Sequence, residues 1–341
     1  MLSSCSSNAI LAKIRAILGR RLTAADYAQM ARRRDVGEVA ALLKATPSYA
    51  GVLRHIEESA IHRGQLEALL KKDLFYQYSN LRRYDFSGKD FYDFIIVQVE
   101  IREILRRIIL LQSGEQTDFV VDLPSYMLGR TSFPLMDLAR TRTVAEMIDC
   151  MPHTPYPAIL SRFAGQDIRS IRILDCEYAL YSYYYRYLTD TIRSQFSGST
   201  RKELLEVVSS EIEAVNIQTI FRMKLYFHAS SEQIRAHLYP YAWRLKKNQI
   251  EALLAAEDFA GMCRALTPDG GNVSEEDGIE LFINRNMAHL EQKQLRFTTS
   301  APVAMYTFLT LRRIEVQNII TVIEGVRYQL PQEEILAMLI L

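Results

Sequence analysis

The segment EIEAVNIQTIFRMKLYF, Glu211–Phe227, sets a carboxylate, Glu213, and an amide, Asn216, inside a largely apolar run. Further along, RRIEVQNIITVIEGVRYQL, Arg312–Leu330, repeats Glu-x-x-Asn-Ile with Glu315 and Asn318. Residues i and i+3 share a helix face, so each Glu lies beside its Asn. The positions around them are apolar nearly all round, the mark of a buried helix. A buried carboxylate must be paired or hydrogen-bonded, or it costs several kcal/mol. Asn donates and accepts at once, so it can tie two elements in one register. The expected partners are the backbone ends of a neighbouring helix or a cation such as Arg106, Arg222 or Arg312. The pairs therefore predict structural pins, each locking the two long helices of its unit.

Working outward, helical periodicity dominates the chain. Leu66–Tyr84, Phe91–Leu111, Ile168–Leu188, Arg201–Phe227, Ile279–Leu295 and Val303–Tyr328 carry apolar residues at three- and four-residue spacing. With 14 glycines and 10 prolines in 341 residues, regular elements have few interruptions. Helix starts are read at Thr23 before AADY, at Ser231 before EQI and at Pro331 before QEEI. SGST (Ser197–Thr200) and TPDGGN (Thr267–Asn272) read as loops. The one weak strand candidate is TDFVVDL, Thr117–Leu123. The expected fold is all-α.

Self-comparison adds a repeat of domain size. DVGEVAALLKATPSYAGVL (Asp35–Leu53) aligns with TVAEMIDCMPHTPYPAIL (Thr143–Leu160). Val36, Glu38 and Thr46-Pro47 fall on Val144, Glu146 and Thr154-Pro155 at one offset of 108. A decayed third copy is DFAGMCRALTPDGG, Asp258–Gly271. Each copy is followed by a long helix bearing the motif: Glu100-x-x-Glu103-Ile104, then Glu213-x-x-Asn216-Ile217, then Glu315-x-x-Asn318-Ile319. The spacing from Thr-Pro to the motif Glu is 54, 59 and 48 residues. Three similar helical domains are expected, at 1–115, 116–229 and 230–341, clustered about a pseudo-threefold axis rather than stacked as a solenoid.

No catalytic constellation is legible. None of the six histidines stands three residues after a Glu, there is no His-Glu-x-x-His, and metal ligation is not expected. Gly88-Lys89 lacks the upstream glycine of a phosphate loop, and neither Gly-x-Gly-x-x-Gly nor Gly-x-Ser-x-Gly occurs. No cofactor is called for. Forty-one basic against forty acidic residues leave +1, no field for nucleic acid. Cys5, Cys150, Cys176 and Cys263 are dispersed and read as buried apolar residues of a reducing compartment. The N-terminus lacks the pattern of a signal peptide. The longest uncharged run, Phe297–Leu311, is fifteen residues and carries Thr, Ser and a Pro, against the ~20 apolar residues of a spanning helix. The tyrosine cluster EYALYSYYYRYL (Glu177–Leu188) places Tyr178, Tyr181 and Tyr185 on one face. It reads as interhelical packing, with a partner-recognition surface as the other option.

These motifs resemble a family. EIEAVNIQTIFRMKLYFHASSEQIRAHLYP (Glu211–Pro240) is similar to the central signature of the C subunit of V/A-type (vacuolar/archaeal-type) rotary ATPases, known as the d subunit in eukaryotes. RRIEVQNIITVIEGVRYQLPQEEILAML (Arg312–Leu339) resembles its C-terminal signature. AILAKIRAILGRRLTAADYAQM (Ala9–Met30) and VEIREILRRIILL (Val99–Leu111) are similar to its first domain, so the resemblance runs through the whole chain in order. The third Thr-Pro copy departs from the pattern in lacking the Tyr, and the lack of large insertions looks bacterial. The resemblance implies a funnel-like, three-domain, non-catalytic rotor subunit of the central stalk. It would sit on the proteolipid c-ring at the cytoplasmic face of the membrane and receive the axle made by subunits D and F. It would transmit rotation for ATP-driven ion transport or ATP synthesis, with no span of its own. The alternatives are a cytosolic helical scaffold that binds protein partners, and an all-α enzyme with a deep polar pocket.

Overall fold

The structure is a computed structural model that describes residues 2–114, 123–240, 245–267 and 278–341, with side chains from Ser7 onward. The described residues form helices, turns and coil, and no strand occurs among them. In chain order the helices are α1 (Leu2–Leu18), α2 (Ala24–Ala31), α3 (Val36–Ala45) and α4 (Arg63–Arg82). Next come α5 (Phe94–Ser113), α6 (Leu135–Arg140), α7 (Val144–Asp149), α8 (Tyr156–Leu160) and α9 (Ile173–Gln195). The remainder are α10 (Gly198–Leu225), α11 (Ser231–Arg235), α12 (Lys247–Ala255), α13 (Phe259–Leu266), α14 (Gly278–Phe297), α15 (Ala301–Arg327) and α16 (Gln332–Ala337). The all-α expectation holds, and each of the six long periodic runs coincides with a long helix.

Contacts gather the chain into two compact units. One holds the residues up to Gly88 together with Gly198–Leu341, and the other holds Lys89–Ser197. This grouping differs from cuts at 115/116 and 229/230. It places α5, with Glu100 and Glu103, among the elements that follow it rather than those before it.

In the first unit α15 is packed on nearly every side, by α1, α2, α3, α4, α10, α14 and α16. Its sequence requires this. From Val303 to Leu309 every residue is buried, and Thr307 spends its hydroxyl on the carbonyls of Val303 and Ala304 in the preceding turn. One apolar core joins Tyr27, Val39, Leu43, Leu66 and Leu70 from the N-terminal helices to Ile319, Val322 and Ile323 of α15 and Ile335 of α16. Each such side chain contributes about 1.5–3 kcal/mol by leaving water. Gly325 lets α16 approach, since a Cβ there would stand 2.5 Å from Cγ1 of Ile335. In the second unit α5 packs along α9. Ile101, Ile104 and Ile108 of α5 and Leu180, Tyr184, Leu188 and Ile192 of α9 are all buried.

Caps follow side-chain chemistry. Thr23 opens α2 as expected, and it closes a capping box with Asp26. For α11 the cap is Ser230 rather than Ser231, because Ser230 and Gln233 satisfy each other's backbone N–H groups while Ser231 turns to the Leu254 carbonyl. The expected loop Ser197–Thr200 shrinks to two residues, since Gly198, at φ +59°, already opens α10. The strand candidate, apart from Leu123, and all of TPDGGN after Thr267 lie outside the described residues.

Candidate functional site

The two Glu-x-x-Asn motifs use their amides in the same way. Asn318 donates from Nδ2 to the Ile340 carbonyl (2.7 Å), and the Ile340 N–H donates back to Oδ1 (2.9 Å). Asn216 donates to the Tyr239 carbonyl (2.9 Å) and accepts from the Tyr239 N–H (2.8 Å). The partner lies 22 residues downstream in one case and 23 in the other, in non-helical chain just past the short helices α16 and α11. The sequence led us to expect the backbone end of a neighbouring helix or a cation, with each pair locking two long helices; the partners lie beyond the ends of short helices. The amide instead finds a residue whose N–H and C=O are both unspent, and a helix interior has none to offer.

The carboxylates are held separately. Glu315 accepts from the Tyr49 hydroxyl (2.7 Å) and from Nη1 of Arg312 (2.5 Å). Glu100 accepts from the Tyr156 hydroxyl (2.6 Å) and from the Ser132 N–H. Glu213 accepts from the Leu245 N–H at 2.8 Å. Glu103 sits between Arg102 (3.3 Å) and Arg106 (3.5 Å) of its own helix. Thus Arg312 and Arg106, but also two tyrosines that sequence reasoning did not pair, supply the partners. Tyr49 and Tyr156 close the first and second Thr-Pro copies, so the two families of repeated motif meet in space. Glu100 meets the copy that follows it in sequence, and Glu315, near the end of the chain, meets the first copy. Burial, with the neighbouring glutamate, pushes the Tyr156 hydroxyl well above its ordinary value. Tyr49 is raised by burial, against the pull of Arg312, so both phenols stay protonated donors.

Arg312, 1% exposed, is the largest fully buried side chain among the described residues. Beyond Glu315, its Nη2 lies 3.8 Å from Asp73 of α4 and its guanidinium stands over the Tyr49 ring at 5.2 Å. Burial works against the charge, but Tyr49, Glu315 and Asp73 outweigh it and raise its pKa. A buried ion pair is costly to break from one side, because the survivor is left charged and unpaired.

A second acidic group escaped the sequence reading. Glu211 of α10 accepts from the Tyr306 hydroxyl of α15. Glu291 of α14 is 1% exposed, and neither of its oxygens has a hydrogen-bond partner among the described residues. Burial, and then the charge of Glu211, push Glu291 well above the usual carboxylate range. The signal was available: Ala288, Glu291 and Leu295 share the apolar stripe of α14.

The tyrosine cluster is packed mainly through Tyr184 and Tyr185, both buried, and Gln98 of α5 donates to the Tyr184 hydroxyl at 2.6 Å. Tyr183 meets Tyr156 edge-on at 6.1 Å, next to Glu100. Cys176 and Cys263 are buried, Cys150 is partly so, and the Cys5 side chain lies outside the described residues. No cluster of three or more metal-ligating side chains occurs among the described residues. No helix among them is long and apolar enough to cross a membrane.

Compared with known proteins, the chain matches the family described as ATP synthase (C/AC39) subunit over residues 10–338. This chain belongs to that family. The match takes in all three motif helices, both tyrosine partners and the segment from α2 to α16. A curated relative, the A-type ATP synthase C subunit of Archaeoglobus fulgidus, is 25% identical over 212 residues, 59% of this chain and 58% of that protein. The protein of the same name from Methanosphaera stadtmanae is 22% identical over 350 residues, 96% of this chain and 86% of its own length. At such identity, membership in the C/AC39 family rests on the length of the match rather than on any one residue. The resemblance read from Glu213, Asn216, Glu315 and Asn318 therefore led to the right family.

Proposed function

We propose that this C/AC39-family chain is a non-catalytic rotor subunit of the central stalk of a V/A-type ATPase. In this reading it couples an axle of subunits D and F to the membrane proteolipid c-ring, for ATP-driven ion transport or ATP synthesis. It binds at the cytoplasmic face of the cell membrane through that ring. The observation that carries the proposal is the family match along residues 10–338, joined to named relatives that are themselves ATP synthase subunits. The side-chain chemistry supports it. A part that transmits torque must hold its elements in fixed register, and Glu100, Glu103, Glu213, Asn216, Glu315 and Asn318 act as the pins, the amides by fixing non-helical chain against the long helices α10 and α15. Each amide closes two hydrogen bonds on one backbone residue, which fixes the position of that segment along the helix as well as its distance. In this reading the chain is built from three related helical units, 1–115, 116–229 and 230–341, in a pseudo-threefold arrangement.

The test is affinity purification of the tagged chain from detergent-solubilised membranes. Proteolipid and axle subunits are expected to co-purify, and the chain to sediment with membranes until the complex is dissociated. Recovery of the chain only from the soluble fraction, with neither partner, would favour a cytosolic scaffold and overturn the proposal.

A further inference from the structure

A cavity of about 590 Å3 opens in the first unit between α1, the Pro47-Ser48 turn, the C-terminal end of α4 and α15. Its walls carry Lys13, Arg20, Arg83 and Arg312, and no carboxylate. This is a local excess in a chain whose net charge is only +1. Lys13, Arg20 and Arg83 are exposed and form no ion pair among the described residues; Lys13 rests over the Tyr84 ring at 4.7 Å. Arg312 lies inside, its Nη atoms engaged by Glu315 and Asp73, and its Nε has no hydrogen-bond partner among the described residues. Glu315 and Asp73 contact Arg312 rather than the outer three, and four cations against two carboxylates leave the cavity region net positive. Like charges drawn round one cavity repel each other, and a bound anion turns the repulsion into attraction.

We propose that this cavity is a binding site for clustered phosphates, with Arg20 and Arg83 as bidentate forks, Lys13 as a point charge and Asn80 as an amide donor above the buried Arg312. Planar guanidinium forks match phosphate oxygens, while the ammonium contributes charge without fixed geometry. Three exposed cations and a net positive excess suit a ligand of two or three phosphates. The volume falls within the range of small-molecule sites. The same chemistry is presented by a free oligophosphate and by the headgroups of phosphate-rich lipids. The proposal does not rest on the rotor function.

Calorimetric titration of the full chain with sodium tripolyphosphate tests it, with sulfate at matched ionic strength as control. Saturable binding is expected, weakened roughly tenfold in each of Arg20→Gln and Arg83→Gln and weakened further in the double variant. Both side chains are exposed, so these variants are expected to melt like the parent without ligand, which a thermal scan checks. A second arm uses vesicles of cardiolipin in phosphatidylcholine. Flotation that the double variant loses and tripolyphosphate displaces assigns the phosphates to lipid; binding of tripolyphosphate alone assigns them to a free ligand. The proposal is overturned if the double variant equals the parent in both arms, if sulfate serves equally well, or if polyglutamate binds and neither phosphate source does.

Discussion

Replacing Asn318 by Leu removes both hydrogen bonds to Ile340 while keeping the side-chain volume close. Asn318 is 3% exposed, so the loss is felt inside the protein. Leaving a buried donor and a buried acceptor unpaired costs about 1–3 kcal/mol each. The added apolar burial, and the freedom of the Ile340 segment to turn toward water, offset part of that. A net loss of about 2–4 kcal/mol follows. The first unit is large, and at about 2–4 °C per kcal/mol the melting temperature should fall by roughly 4–16 °C. Thermal and urea melts of the parent and Asn318→Leu provide the measurement, and Asn216→Leu, built on the same geometry at Tyr239, should shift in the same direction. Deleting Ile340-Leu341 closes a double-mutant cycle: if Asn318 acts through Ile340, the two changes should couple by more than about 1 kcal/mol. The reasoning is refuted if Asn318→Leu melts within about 0.5 kcal/mol of the parent while co-purification with the proteolipid ring is lost. The residue would then be an interface contact, not a pin.

Other outcomes follow from the same structure. Glu291 has a folded-state pKa above its unfolded value, so its contribution is complete below about pH 4.3 and is lost as pH rises toward the folded pKa. Glu291→Gln should therefore stabilise increasingly with pH, gaining up to about 1.4 kcal/mol per unit, and parallel stability–pH curves for parent and variant would contradict this. Tyr156→Phe removes a hydroxyl donor from Glu100, which is 2% exposed, and should cost about 1.5–3 kcal/mol in chemical denaturation. Gly325→Ala forces Ile335 aside in a packed core and should cost about 1–3 kcal/mol; Ile335→Val in the same chain should recover part of it.

Much of this molecule can be read without coordinates. Three- and four-residue apolar spacing located six of the long helices, because a helix must bury a stripe whatever it packs against. Glu213, Glu315 and Asn318, which are buried, and the half-buried Asn216 announced themselves because an ionised or amide side chain inside an apolar helix demands a partner. The partners themselves lay beyond reach. Tyr49 reaches Glu315 across a separation of 266 residues, and Tyr239 and Ile340 offer backbone atoms that carry no signature in a side chain. Glu291 shows the converse, a carboxylate whose place on an apolar stripe was visible while its missing partner was not. Helix formation and the need for burial are local, set by neighbours a turn away. Which chain segment satisfies a buried group depends on where distant segments converge, and only the tertiary fold decides that.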